Sequence, residues 1–354
     1  MMQKNLFLLF FLLFCGLNCQ IPYHASDVFE EQAQLPKDEA PHPKNSLEWW
    51  YFTGHLKDSL QERTFGVELV VFHFNPTAVK GGWMVNMAVS DPLHKKFYYD
   101  HKFFTKKKDQ FHQLPLNFHW NKKGVNVQLK GQNGNYELLA EMKEHPIRFD
   151  LKTAALKEVV MHDGTGYEQY GDYAKAGYYT FPRLSAEGKL SLADENFNLK
   201  GELWYDRQWN CSGVFERKVA WDWFSIRFEE TQSELMLYRL YHLEKDEELL
   251  GGTYVSEDGI RMDLSSDMIR IQELKHWKSP DSEAIYPIEW EISIPSLKLK
   301  SRLKALFPEQ ELELKFSPFA KFYYWEGMCK AEAEIDGRAV RGESYVEMTN
   351  RFRN

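Results

Sequence analysis

The chain has 354 residues, of which 43% are hydrophobic and 15% aromatic, enough apolar side chains for two folded cores. Its 44 Lys and Arg residues and 52 Asp and Glu residues give a net charge of −8. The basic run Lys106–Lys108 is short and no basic face stands out, which argues against nucleic acid as a partner. The high aromatic content favours β-structure, because flat rings pack well on pleated surfaces.

The N-terminus has the pattern of a secretory signal. Lys4 precedes an apolar run from Leu6 to Phe14, which is too short to span a bilayer. The following Gly16–Cys19 resembles a loose bacterial lipobox with Cys19 as the lipidated residue. We therefore expect an exported protein with a signal peptide over residues 1–19, anchored to a membrane surface through Cys19, or else secreted after ordinary cleavage.

Residues 20–45 are polar, contain Pro and His, and are predicted to be a tether. Two cysteines remain after the signal, Cys211 and Cys329. Export permits a disulfide between them, and two unpaired buried thiols are an equal alternative.

Strand patterns follow one another from the end of this tether. "EWWYFTGHL" and "TFGVELVVFHF" are separated by a polar turn, and the first recurs as "WDWFSIRF", with Trp50-Tyr51 aligned to Trp223-Phe224. "KGELWYD", which ends at Asp206, matches "RGESYVE", which ends at Glu347. The repeat predicts an all-β protein of two tandem β-barrels packed together, over 46–210 and 218–350, in which the first strand pairs with the last.

The closing strand of the first half, "GELWYDRQWN", ends in aromatic and charged side chains. Alternation along a strand puts Trp204 and Asp206 on one face and Arg207 on the other. Two interpretations remain open. Arg207 forms a salt bridge with Glu48 or Glu202 at the barrel mouth while Asp206 caps a turn, or Asp206 is an acid whose pKa is raised in an apolar cavity.

If Asp206 is a catalytic acid, pairing of the first and last strands brings Glu48 beside it. These two unlike carboxyl groups are then the expected acid and base, and Tyr178 is a further catalytic candidate that orients water. The expected ligand-binding residues are aromatic, because ring faces stabilise a developing cation. They are Trp49, Trp50, Tyr179, Trp204 and Trp209. For each residue a purely structural role in the core is the alternative.

Motifs of other site classes are missing from the sequence. The His residues are scattered without His-x-His or HExxH spacing, so no metal site is expected, and no cofactor is implied. The absence of a G-x-S-x-G elbow counts against a serine hydrolase.

Several segments together resemble the carotenoid 1,2-hydratase / AttH-type lipocalin-like family. They are "HPKNSLEWWYFTGHL", "GYYTFPRLSAEGKLSL", "GELWYDRQW", "WDWFSIRF", "YPIEWEISIP", "YYWEGM" and "GESYVEM", in the family's order from Pro41 to Met348. The resemblance implies two lipocalin-like barrels with a functional cleft at or near their interface. Members of the family are exported, loosely labelled secreted hydrolases, or linked with ABC-type export systems. Relatives include carotenoid and isoflavonoid hydratases, which add water to a carbon–carbon double bond without a cofactor.

The resemblance also implies residue roles. Asp206 falls on the proposed acid of the carotenoid hydratases, whose His-x-Trp pair falls near Tyr178 and Thr180 and whose preceding Tyr becomes Trp204. Because only the carboxyl group is retained, we expect a substrate other than a carotenoid. The expected function is binding of a hydrophobic small molecule, with hydratase- or isomerase-like acid catalysis on an unsaturated lipid or isoprenoid. The alternatives are a non-catalytic lipid carrier, an accessory component of an ABC export system, and a structural surface protein.

Overall fold

The computed structural model describes residues 30–42, 45, 47–74, 82–105, 114–122, 124–142, 145–210, 219–317, 320–349 and 351. The predicted signal with Cys19, and Cys211 of the suggested disulfide, lie outside the described residues, while Cys329 is a buried thiol. Within the described part, no helix is long and apolar enough to cross a membrane. Short 3₁₀ helices occur at Lys37–Glu39, His162–Gly164, Ser266–Met268 and Pro295–Leu297.

Two antiparallel sheets make up the protein. The strands of the first are β1 (Leu47–Asp58), β2 (Thr64–Phe74), β3 (Gly82–Asp91), β4 (Lys96–Thr105), β5 (Leu116–Lys122), β6 (Val125–Gln132), β7 (Asn135–Met142), β8 (Ile147–Ala155), β9 (Val160–Met161), β10 (Tyr167–Tyr170), β11 (Ala174–Leu192) and β12 (Glu195–Trp209). The strands of the second are β13 (Val219–Phe228), β14 (Glu234–His242), β15 (Glu248–Val255), β16 (Arg261–Leu264), β17 (Arg270–Lys278), β18 (Ile285–Ile294), β19 (Leu299–Ala305), β20 (Glu311–Ser317), β21 (Ala320–Ile335) and β22 (Arg338–Thr349).

The strand orders of the two sheets follow the same plan. The first is β4-β3-β2-β1-β12-β11-β8-β7-β6-β5 and the second is β16-β15-β14-β13-β22-β21-β19-β18-β17. In each half the first strand pairs with the last, as the sequence predicts. Neither order closes on itself over the described residues, so each unit is a curled half-barrel. The prediction of an all-β fold of two tandem units is therefore confirmed.

The strands at the centre of each sheet bury both of their faces. On β1, Trp50, Phe52 and Leu56 point into the core that the first sheet encloses, whereas Leu47 and Tyr51 point toward the second sheet. The side chains buried between the two sheets form a third core, called here the interface core. Its members are Leu47, Tyr51, Val70, Tyr170, Ala176, Tyr178, Trp204, Val219, Trp223, Met236, Tyr238, Leu240, Met328 and Tyr345.

The register of the two halves corrects the repeat alignment by one residue. Asp206 lies opposite Tyr51, and Glu347 lies opposite Trp223. Tyr51 therefore corresponds to Trp223, and both belong to the interface core. The alignment of Tyr51 with Phe224 is wrong, because Phe224 points into the core that the second sheet encloses. A slip of one residue along a strand moves every side chain to the opposite face.

Residues 30–42 pack onto the first half-barrel. Ala33 is 3% exposed within the enclosed core, and Glu39 is fully buried. The Tyr136 hydroxyl donates a hydrogen bond to the Glu39 carboxylate. The described part of the tether predicted over 20–45 is therefore a docked segment, because its few buried side chains find partners inside the half-barrel.

Candidate active site

Asp206 projects from β12 into the space between the two sheets and is 3% exposed. Its carboxylate accepts three hydrogen bonds. The Tyr178 hydroxyl donates to Oδ2 at 2.7 Å, and the Thr180 hydroxyl and the Trp204 indole N–H donate to Oδ1 at 2.5 and 2.7 Å. Thr180 lies directly opposite Asp206 on β11, and Trp204 precedes it by two residues on β12, so all four share one face of the sheet.

The three hydrogen-bond donors to Asp206 are all uncharged, and this bears directly on the pKa of Asp206. Burial raises the pKa of Asp206 to about 7, and the hydrogen bonds from Thr180, Tyr178 and Trp204 oppose this rise without cancelling it. A large fraction of the molecules therefore carries a proton on Asp206 near neutral pH. The group can act as a general acid.

The second sheet completes the surroundings of Asp206. The Trp223 indole N–H donates to the Tyr178 hydroxyl at 3.1 Å, and the Trp223 ring meets the rings of Trp204 and Tyr51 edge to face at 6.1 and 5.5 Å. Aromatic faces carry negative potential, so this arrangement can stabilise a cation that develops beside Asp206.

His162 is a neighbour that the sequence did not single out. Its Nε2 lies 2.7 Å from the Thr180 hydroxyl, its Nδ1 lies 2.9 Å from the Thr253 hydroxyl, and its ring packs on Tyr178 at 3.9 Å. Burial lowers the pKa of His162 to about 3, and the charge of Arg261 adds to this effect. The neutral ring therefore links the second sheet to Thr180 and Asp206 through hydrogen bonds. A lone His before a turn carried no motif that could have revealed this contact.

Glu48 lies on the opposite face of the same strand pair. It is fully buried, forms an ion pair with Arg207, and accepts hydrogen bonds from His42 and His73. Burial alone would raise the pKa of Glu48, but Arg207, His42 and His73 hold it well below its ordinary value. The structure therefore does not bring Glu48 and Asp206 together as an acid–base pair. The salt bridge between Arg207 and Glu48, which the first of the two interpretations of this strand end predicts, is present.

The predicted ligand-binding aromatics divide between the two faces. Trp50, Tyr179 and Trp209 belong to the core enclosed by the first sheet, and the Arg207 guanidinium lies 4.0 Å from the centre of the Trp50 ring. Trp204 belongs to the interface core, and Trp49 packs against it. Of the seven other predicted catalytic and ligand-binding residues, Tyr178 and Trp204 donate hydrogen bonds to Asp206.

A cleft with about 160 Å³ of empty space lies between the sheets next to Trp204. Its lining includes Thr53 of the first sheet and Ser225 and Arg227 of the second. Thr53 Oγ1 and Arg227 Nη1 are buried and have no hydrogen-bond partner among the described residues. Ligand pockets usually measure roughly 300–1,000 Å³. In this form the space is too narrow for a water molecule, and it has no room for a lipid.

Three acidic residues form a second cluster in the interface. Glu347 lies on β22, Glu326 lies directly opposite it on β21, and Glu68 comes from β2 of the other sheet. Tyr51 donates to Glu326 at 2.9 Å and Asn86 donates to Glu68 at 3.1 Å. Burial raises the pKa values of Glu68 and Glu326 well above the ordinary range, and the carboxylates raise one another further.

The sequence carried a signal for one member of this cluster. The match of "RGESYVE" to "KGELWYD" places Glu347 at the position of Asp206. Glu68 and Glu326 stand in the repeat and in the segment "YYWEGM", but the sequence did not assign either of them to a site. Among the residues that the structure describes, no group of three or more His, Cys, Asp or Glu side chains is arranged to hold a metal ion.

Comparisons with known proteins agree with this architecture. The AttH-like family model matches residues 28–351. A crystal structure from Nitrosomonas europaea described as a candidate AttH is similar, with a TM-score of 0.77 and 21% identity over 92% of this chain and 98% of that one. Kievitone hydratase from Nectria haematococca has a TM-score of 0.68 and 14% identity over 90% and 93% of the two chains.

The structure of CghA with Sch210972 is similar as well, with a TM-score of 0.57 and 12% identity over 91% of this chain and 94% of that one. No curated protein matches the sequence. At these identities the solved structures show the fold alone. The two half-barrels are lipocalin-like, as the resemblance implied.

Proposed function

Because the chain belongs to the AttH-like family, we propose that it binds a hydrophobic small molecule between its two sheets. Asp206 is then the acid of a cofactor-independent hydration or isomerisation of an unsaturated lipid or isoprenoid. One observation carries this proposal. A carboxyl group is buried among uncharged donors and aromatic rings with its pKa raised to about 7. The similarity of the fold to a kievitone hydratase supports hydratase chemistry.

The reaction needs an acid and a site that tolerates positive charge. The proton on Asp206 passes to one carbon of the double bond, which leaves the neighbouring carbon cationic. In a hydration, the oxygen of water bonds to that carbon and loses a proton to a base, so water is added overall. In an isomerisation, the cation loses a proton from an adjacent carbon instead. The rings of Trp204 and Trp223 stabilise the cation in both cases.

Binding of such a substrate requires side chains to move. The cleft beside Trp204 is smaller than usual ligand pockets, and Asp206 is closed off behind Trp204, Tyr178 and Trp223. Rearrangements of side chains are common when ligands bind, so entry of a ligand along the interface is compatible with this form.

Turnover by Asp206 is tested with oleic acid, geraniol and squalene as probes in H₂¹⁸O. Mass spectrometry should detect a product heavier than the probe by one H₂¹⁸O, or an isomer of unchanged mass that chromatography separates. Asp206→Asn should lower the rate by about 10²–10⁴-fold, because a general acid contributes that much, and should leave probe binding nearly unchanged. The matched control Asp150→Asn, whose side chain on the same sheet is 54% exposed, should retain the wild-type rate. Equal rates for wild type and Asp206→Asn would refute the catalytic role.

A non-catalytic carrier, or an accessory component of an ABC export system, is the second candidate. The argument in its favour comes from the resemblance, which implies that the His-x-Trp pair of the carotenoid hydratases falls near Tyr178 and Thr180 and is not retained here. Native mass spectrometry of protein purified from its own host should then show a co-purified lipid, with probe binding and no turnover by the wild type. Failure to extract any lipid from host membranes would favour a structural role at the cell surface.

Export and anchoring through Cys19 are part of the same proposal. Their support is the sequence of the first 19 residues, which lie outside the described residues. Cys19→Ser should eliminate labelling of the protein by radioactive palmitate, whereas Cys15→Ser, in the same segment, should keep the label. A label that persists in Cys19→Ser would refute the lipoprotein assignment and leave plain secretion.

A further inference from the structure

The two halves carry an acid at the same position of their closing strands. Asp206 on β12 lies opposite Tyr51, and Glu347 on β22 lies opposite Trp223. The rings of Tyr51 and Trp223 touch across the interface, with centroids 5.5 Å apart. Both acids therefore belong to strand pairs whose contacting faces meet, and each projects into the shared space from its own side.

Hydrogen bonds connect the surroundings of the two acids. Trp223, the direct cross-strand neighbour of Glu347, donates to the Tyr178 hydroxyl, which donates to Asp206. Glu347 is half-buried, whereas Asp206 is closed off. Burial raises the pKa of Glu347 to about 8; a hydrogen bond with Trp221 opposes the rise, and the charge of Asp206 adds to it. The charge of Asp206 therefore reaches Glu347 and opposes the loss of its proton.

The groups around Glu347 leave buried polar atoms unsatisfied. Glu326 faces it from β21 and Glu68 acts on the same cluster from β2. Glu68 Oε2 and Asn86 Oδ1 are buried without a hydrogen-bond partner in the described part of the chain. The raised pKa of Glu68 keeps its carboxyl group protonated, so Oε2 can carry the proton, whereas Asn86 Oδ1 is an acceptor that calls for a donor such as water or the hydroxyl group of a ligand. Other groups in the cluster are the phenols of Tyr51, Tyr324 and Tyr345, whose pKa values burial and the nearby carboxylates raise.

We propose that Glu347 is a second catalytic carboxyl group and acts with Asp206 as an acid–base pair across the interface, with the substrate double bond between them. This inference deepens the proposed function and rests on it. With a pKa of about 7 for Asp206 and about 8 for Glu347, the singly protonated pair holds its proton mostly on Glu347, and the form with the proton on Asp206 is the reactive minority. Glu347 thus takes the role that Glu48 cannot fill, because Glu48 lies on the other face of its strand and is held by Arg207.

The bond changes of a hydration balance with these two groups alone. Asp206 transfers its proton to one alkene carbon and becomes a carboxylate. A water molecule beside Glu347 forms the new carbon–oxygen bond and gives its surplus proton to the Glu347 carboxylate. After the alcohol leaves, that proton returns from Glu347 to Asp206 through water or hydroxyl groups in the interface. No oxidant, metal ion or cofactor takes part in these steps.

The pairing is tested by carboxyl titration followed by NMR in protein labelled with ¹³C at the Asp and Glu carboxyl carbons. Asp206→Asn should lower the titration midpoint of Glu347, because the charge of Asp206 raises it in the wild type. The control Glu332→Gln, which is 66% exposed on β21, should leave both midpoints in place. Near-UV circular dichroism checks that each variant is folded.

The outcomes separate this inference from the proposed function. An unchanged Glu347 midpoint in folded Asp206→Asn overturns the pair, whether or not Asp206 supports turnover. Coupled midpoints together with an unchanged rate of Glu347→Gln on the probe panel overturn its catalytic role and leave Asp206 as the acid. A loss of rate of about 10²-fold or more in Glu347→Gln, with binding retained, supports it. If the wild type turns over no probe, the proposed function falls and the catalytic role of Glu347 falls with it.

Discussion

Glu48 and Asp206 are carried on one pair of neighbouring strands, both are buried, and their electrostatics are opposite. Glu48 lies against the guanidinium of Arg207, and its pKa is held well below the ordinary range. Asp206 lies among hydroxyl and indole donors, and its pKa rises to about 7. Burial is common to both, so the presence of a cation decides the protonation state. The enclosed face therefore holds a compensated, structural charge, and the interface face holds an acid that can react.

The largest effect on stability should come from a substitution on the enclosed face, at Glu48. Glu48→Gln leaves Arg207 buried without a counter-charge, so we expect the free energy of unfolding to fall by about 3–5 kcal/mol. Urea denaturation at neutral pH measures this change. Glu62→Gln, on a side chain that is 84% exposed, should change it by less than about 0.5 kcal/mol. A similarly small change in Glu48→Gln would show that Glu48 does not compensate the buried charge of Arg207, and the contrast with Asp206 would be lost.

The pH dependence of stability should reveal the raised pKa of Asp206 on the interface face. The pKa of Asp206 rises from 3.8 to about 7 on folding, so over this interval the folded protein holds a proton that the unfolded chain lacks. The contribution of Asp206 to the free energy of unfolding is fully present below its pKa in the unfolded chain. It is lost as the pH rises toward the pKa in the folded protein, by about 1.4 kcal/mol per pH unit. Between about pH 5 and pH 6.5, wild type should thus lose about 2 kcal/mol more than Asp206→Asn.

Other buried acids set the background of that measurement. Burial also raises the pKa of Glu39 to about 7 and that of Glu347 to about 8, so both variants should still lose some stability as the pH rises. Glu48 acts with the opposite sign, because its lowered pKa gives stability that is lost in acid. Urea curves of wild type and Asp206→Asn that stay parallel across the interval would refute the raised pKa of Asp206.

A smaller effect on stability is expected at the Tyr178 hydroxyl, which lies between the two sheets. Tyr178→Phe removes the donor to Asp206 and the acceptor of the Trp223 indole N–H, which should cost about 1–2 kcal/mol. The pKa of Asp206 should rise at the same time, since a hydrogen bond to its charged form is lost. Denaturation and carboxyl NMR measure the two changes. Tyr98→Phe, at a half-buried ring on β4, serves as the control.

Much of the architecture could be predicted because it follows from local pattern. Strand periodicity and turn residues revealed the all-β fold, the repeat revealed the two units, and the build of a barrel required its first and last strands to pair. The assignment of Trp204 and Asp206 to one face and Arg207 to the other needed only the alternation of a strand. These predictions depend on neighbours along one strand, which the sequence shows directly.

The errors concern partners that lie across strands or sheets. Pairing β1 with β12 was correct, but whether Glu48 or Tyr51 shares a face with Asp206 depends on a register that differs by one residue between the two outcomes. The contacts of His162 with Thr180 and of Glu68 with the second sheet join segments that are distant in the chain. No spacing rule connects such residues, so this half of the candidate site required the structure.

The smallest predicted effect is that of Thr53→Val, which is compared with that of Thr180→Val on the same interface face. Thr180 bonds Asp206 and His162, so Thr180→Val should cost about 1–3 kcal/mol. The Thr53 hydroxyl is buried in the cleft without a partner among the described residues, so Thr53→Val should leave the unfolding free energy unchanged or raise it by less than about 1 kcal/mol. Thermal and urea denaturation compare the pair. If Thr53→Val costs as much as Thr180→Val, the Thr53 hydroxyl has a partner in solution, and the cleft beside Trp204 opens enough to admit water.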